Sequence, residues 1–165
     1  MNFLILLLCL FQPVDDGTLV FVKGGNRIVK FQTDSEITHV GIIFIENSEP
    51  YLYEATPPRV RKIALKDYLK EIEETNKKHP KNQRELVYVN PSMPADKIAS
   101  MKKYAESQIG RSYGVRSYVK GKELSTIHCS EYVSRILIAG GENIDVPYKQ
   151  TPDSLMKKYL KMSLL

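Results

Sequence analysis

The chain has 165 residues, 42% of them hydrophobic and 26% charged, which suits one globular domain with its own core and excludes a disordered chain. Net charge is +5, but stretches such as "KDYLKEIEETNKKHPKNQRE" mix both signs and read as a solvated face, so no nucleic-acid partner is expected. Two cysteines exclude a disulfide framework.

In chain order, "MNFLILLLCLF" is an apolar leader, assigned to residues 1–12, that is too short to span a bilayer. It has the length of a signal-peptide core, although no Lys or Arg precedes it and no Ala-x-Ala follows. It carries an expectation of export, to a periplasmic, membrane-associated or secreted location. Residues 13–165 are expected to form a single catalytic domain. "GTLVFV" (17–22) reads as a strand, and "KGGN" as a turn into "RIVKF" (27–31). "ITHVGIIFI" (37–45) and "YLYEAT" (51–56) are strands joined by the turn "ENSEP", and "RVRKIAL" (59–65) alternates like an edge strand. Leu65, Tyr68, Leu69 and Ile72 recur at helical spacing. "RELVYVN" (84–90) is another strand. Pro94 opens a helix to about Ile109, with Ile98, Met101, Ala105 and Ile109 on one face and Gly110 as its stop. Residues 111–126 read as irregular, Cys129 to Ala139 as an amphipathic helix, and 151–161 as a last short helix. The sum is α+β, a mostly antiparallel sheet or partial barrel packed against helices.

Cys129 begins the helix "CSEYVSRILIA". A cysteine on an apolar helix face is ordinarily inert filling. Its position in the first turn, where free N–H groups and the helix dipole favour an anion, points instead to an activated thiolate. A thiolate nucleophile needs a proton-transfer partner and a group to orient that partner. Of the three histidines, His79 lies in a polar loop. His128 adjoins Cys129 and points away from it. It is expected to line the pocket, or to meet a helix-start N–H as a neutral ring, in a substrate-side role. His39 stands inside a strand among apolar residues, on one face with Gly41, Ile43 and Ile45.

Glu54 on the following strand is the candidate orienting acid, and register decides whether it can serve. A two-residue turn at Asn47-Ser48, or a four-residue loop at 46–49, pairs residues whose numbers sum to 95. Gly41 then faces Glu54, and His39 and Glu54 become diagonal neighbours about 7–8 Å apart on one face. A three- or five-residue turn would send Glu54 to the other face.

"THVGIIF", "PYLYEA", "IGRSYG" and "HCSEYV", in that order, resemble the circularly permuted branch of the NlpC-type papain-like hydrolases, the YiiX-like group. The resemblance covers about residues 16 to 155. It implies a papain-like core in which histidine and acid precede the cysteine, with His39 as base, Glu54 as its orienting acid and Cys129 as nucleophile. Three blocks depart from the family's usual pattern: "DDG" before the first strand, "SYG" with Gly114 where an acid can stand, and His128 before the cysteine. The expected activity is cysteine hydrolysis of an amide or ester through an acyl-enzyme, with a peptide, peptidoglycan fragment or lipid-like substrate and an association with membrane or cell wall. No cofactor or metal is expected. The oxyanion would be held by the Cys129 N–H and a second donor, for which Tyr53 and Tyr113 are candidates, although either can equally be a packing tyrosine. The rival readings are a metal site built from Cys129, His128, His39 and Glu54, and a non-catalytic module on the same fold.

Overall fold

The computed structural model describes residues 14–25 and 35–162. The apolar leader and the expected "RIVKF" strand lie outside them. Five strands form one antiparallel sheet: β1 (Leu19–Lys23), β2 (Ile37–Glu46), β3 (Glu49–Thr56), β4 (Arg59–Ala64) and β5 (Glu85–Val89), in the order β4-β3-β2-β1-β5. The helices are α1 (Leu65–Lys78), α2 (Ala95–Ser107), α3 (Arg116–Lys120), α4 (Cys129–Ala139) and α5 (Pro152–Met162), with a 3-10 turn at Pro147–Lys149.

Alternation along β2 divides the core. Val40, Ile42 and Phe44 pack with Met101 of α2, Val133 and Ile136 of α4 and Leu155 of α5. Ile43 turns the other way, joining Val20 and Leu52 against Leu65, Tyr68 and Ile72 of α1. Each face of the sheet therefore has an apolar cover, and a polar side chain on either face needs a partner or an opening to water.

The register is the one summing to 95, from Ile42 opposite Tyr53 to Glu46 opposite Glu49. Asn47 and Ser48 form the two-residue turn, with φ of 49° and 66°. Positive φ at both central residues matches the turn whose twist suits a hairpin. At the opposite end of β2 the pairing with β1 slips. Val22 faces His39 but Lys23 faces Ile37, leaving Thr38 as an extra residue. The Thr38 hydroxyl donates to the Gly24 carbonyl at 2.5 Å, which fixes this bulge beside His39.

Two expectations are corrected. The helix from Pro94 stops at Ser107, so Ile109 falls beyond it and is 47% exposed rather than part of the buried face. The segment 111–126 is not wholly irregular. Its start runs beside β4, with the Val60 N–H donating to Arg111 and the Tyr113 N–H to Pro58, and it then forms α3. Tyr113 next bridges Ile127, so two short rungs carry the chain past β4 to His128 and Cys129. Gly114 sits on this path, and a Cβ there would stand 2.9 Å from the Thr126 side chain. Any side chain at that position would have to displace Thr126.

Candidate active site

His39 and Glu54 meet on the α1 face of the sheet. Glu54 Oε2 lies 2.5 Å from His39 Nε2, and the Glu54 side chain is 2% exposed against 21% for His39. Nε2 therefore carries its proton toward the carboxylate, leaving Nδ1 for the thiol. The other carboxylate oxygen, Oε1, accepts from Arg61 Nε at 2.8 Å, with Nη2 at 2.7 Å. Arg61 in turn donates to both oxygens of Glu71 on α1, at 3.1 and 2.6 Å. Burial alone would raise the Glu54 carboxyl, but His39 and Arg61 hold it below its ordinary value.

Cys129 is the first residue of α4 and is 7% exposed. Its sulfur interacts with both imidazoles, which corrects the expectation that His128 points away from Cys129. Burial pushes the thiol up, and the hydrogen bonds and charges of His128 and His39 bring it down to about 5. Burial likewise works against a charge on His39, but Cys129 and Glu54 outweigh it and raise the ring to about 10. Each partner favours the charged form of the other, and an imidazolium–thiolate pair is the consequence. The N–H groups of Cys129 and Ser130, at the helix start, find no acceptor among the described residues.

His128 is the N-cap of α4. Its Nδ1 accepts the Glu131 N–H at 3.4 Å, and its Nε2 donates to the Tyr148 carbonyl at 3.1 Å. Burial opposes a charge on this ring while Cys129, the Tyr148 carbonyl and Glu131 favour one, with a net upward shift. The hydrogen bonds nevertheless suit the neutral Nε2–H ring. A proton on Nδ1 would confront the Glu131 N–H and the positive end of the helix dipole.

Tyr53 requires a correction. Its side chain is fully buried on the far face of the sheet, where its hydroxyl donates to Glu46 at 2.6 Å. Strand parity is the reason: a register that turns Glu54 toward His39 turns Tyr53 away. Tyr113, by contrast, lines a cavity of about 550 Å³ together with His39, Glu54, Thr56 and Val115. Its hydroxyl is pushed up to about 12 by burial and by the nearby Cys129.

Two supporting groups escaped the sequence reading. Arg61 looked like one more cation on an alternating edge strand. Glu131 looked like the polar face of α4, yet it is fully buried. It accepts from the Ser117 hydroxyl at 2.7 Å and from Arg135 Nε at 3.1 Å, which ties α3 to the helix that carries Cys129. An acid one turn before an arginine on the same helix was the available signal for the second.

The chain matches, over residues 13–158, the family described as permuted papain-like amidase enzyme, YaeF/YiiX, C92 family. Among solved structures it is similar to the metalloprotein yiiX from Escherichia coli O157:H7, with a TM-score of 0.61, 18% identity, and coverage of 87% of this chain and 79% of that one. Likeness at that identity speaks for the fold. No curated protein matches. The neighbour is described as a metalloprotein, but no three His, Cys, Asp or Glu side chains converge as metal ligands among the described residues here. The order of strands and helices and the span of the match lead to one assignment: this chain belongs to the permuted papain-like amidase family, with an α+β fold of the YiiX-like kind.

Proposed function

We propose that the protein is a cysteine hydrolase that cleaves an amide bond, with esters as a second acceptable class, through an acyl-enzyme on Cys129. The observation that carries this reading is the chain of contacts from a helix-start thiol to the His39 ring and on to a buried, arginine-clamped Glu54. The Cys129 thiolate attacks the acyl carbon, and the oxyanion forms beside the free N–H groups at the start of α4. Tyr113, which lines the cavity and lies near Cys129, is the side-chain donor that would add to them. His39 Nδ1 gives its proton to the leaving amine or alcohol as the C–N or C–O bond breaks. It then takes a proton from the water that releases the acid. Glu54 keeps the ring oriented and its charge supported throughout. The substrate classes that fit are cell-wall peptides and lipid-like acyl amides.

A screen of peptide amides, acyl amides and esters, run on wild type beside Cys129→Ala, tests the reading. The expected result is turnover with a mass increment on Cys129 that the variant lacks. Turnover that survives the variant would dismiss it.

The thiolate offers an earlier and substrate-free readout. An unperturbed thiol near pKa 8.5 loses about tenfold in thiolate per pH unit below that value. Cys129, shifted to about 5, stays ionised well below neutrality. Iodoacetamide labelling of its peptide should therefore be nearly flat from pH 8 to pH 6. His39→Ala should restore a steep fall. A wild-type rate that climbs tenfold per pH unit would mean an ordinary thiol and favour a non-catalytic module.

A further inference from the structure

The surface beside the candidate site has a composition that catalysis does not use. α3 and the Pro147–Lys149 turn pack together, with Lys149 Nζ 3.4 Å from the Tyr118 carbonyl and 5.8 Å from the Tyr118 ring centroid. Both elements rest on His128. The Tyr118 ring meets it edge-on at 6.1 Å, and the Tyr148 carbonyl accepts its Nε2–H. Outward from this lobe project Val119, 69% exposed, Val146, 45%, and Val115, 40%. Val115 also lines the cavity that holds His39. Val146 is held at a φ of 45°, a conformation that a β-branched residue rarely adopts.

Around these valines stand Arg116, Lys120, Lys122 and Lys149, all exposed. Residues 115–122 contain no acid. Glu123, which follows, is already engaged by Arg135 at 2.9 Å, and the exposed Asp145 is the acid flanking Val146. None of the four cations is in an ion pair within the described residues. Exposed aliphatic side chains ringed by unpaired Lys and Arg match the two layers of an anionic bilayer: acyl boundary for the valines, headgroup phosphates for the cations.

We propose that α3 and the Val146–Lys149 turn form a docking face for an anionic lipid bilayer, seated at the mouth of the cavity that contains His39. A protein partner fits less well, because the projecting side chains come from a five-residue helix, its cap and a separate turn, which offer no extended strand edge or long helix face to pair with. That the docked face presents the reacting centre to lipid rests on the function proposed above. The docking itself does not.

The test is co-sedimentation of the full chain with vesicles of phosphatidylcholine alone, and with phosphatidylcholine and phosphatidylserine at about 7:3. The expected result is binding to the anionic vesicles, reduced by salt, and weakened on the order of tenfold by Val119→Asp and separately by Lys120→Glu with Lys122→Glu. Labelling of Cys129 should be unchanged in these variants, which shows that the fold and the thiol remain intact. No preference for anionic vesicles would overturn the proposal. So would binding that both variants leave untouched, which would assign it to another part of the chain, or variant-sensitive binding to isolated cell-wall polymer with none to vesicles. Vesicle binding that is lost in the variants while no substrate is ever turned over would retain the docking face and discard only the hydrolase.

Discussion

Cys129→Ala and His39→Ala should each reduce acyl transfer to background, while His128→Phe should keep most of it. The first two remove the proposed nucleophile and the group proposed to ionise it, and residues that act as a unit each cost nearly the whole effect when removed. Both ring nitrogens of His128 have structural partners, the Glu131 N–H and the Tyr148 carbonyl, and the ring also interacts with the Cys129 thiol. Its loss removes a helix cap, worth about 1 kcal/mol, and one of two groups depressing the thiol. The variant should melt somewhat lower, label less readily at pH 6 and still turn over at neutral pH. Steady-state rates and melting temperatures of the three variants check this. An inactive His128→Phe beside an active His39→Ala would reverse the assignment of the base.

Glu54→Gln should lower kcat by roughly a hundredfold to ten-thousandfold, because an amide can present the wrong tautomer to the ring and cannot offset an imidazolium. The structure makes this substitution harsher than a single contact would suggest. Arg61 and His39 would then face each other across a neutral group, with Glu71 beside Arg61 and the Cys129 thiolate beside His39 as the nearby anions. Arg61→Met attacks the same carboxylate from behind. Removing a cation at this range lets a carboxyl rise by about 1–3 pKa units, and the 35% exposure of Arg61 puts the effect toward the lower end. The Glu54 carboxyl is held down in the wild type, so it stays ionised into acid. Without Arg61 it takes up a proton at higher pH, and the acid limb of kcat should move upward. We expect about a tenfold loss at neutral pH, partly recovered in Arg61→Lys. A loss with no movement of the acid limb would reduce Arg61 to a packing role.

The parts of this site legible from sequence were those governed by short-range rules. A strand's period of two and a two-residue turn were enough to bring His39 and Glu54 to one face, and helix periodicity with a Gly-Gly stop framed α4 from Cys129 to Ala139. Tyr53 was misplaced by not applying the same parity one residue further. Arg61 and Glu131 were invisible for a different reason. Their meaning lies in partners fixed by tertiary packing, on α1 and α3, and a charged residue on an edge strand or helix surface looks the same whether or not it is buried against them. α3 itself spans five residues, less than two turns, too short for any periodicity to show.

The Asn47-Ser48 turn lies at the end of the hairpin far from the chemistry, yet it acts as a counting device. Lengthening it by two residues would leave every downstream side chain on its present face. Letting the two strands slip past each other by one residue at this turn would hand the place of Glu54 to a neighbour such as Tyr53, with little change in the composition of the hairpin. Among relatives that keep a working centre, the pairing beyond the turn should therefore stay in step, whatever the length of the loop. A relative whose pairing slips by one residue there has either a compensating bulge or has given up the acid.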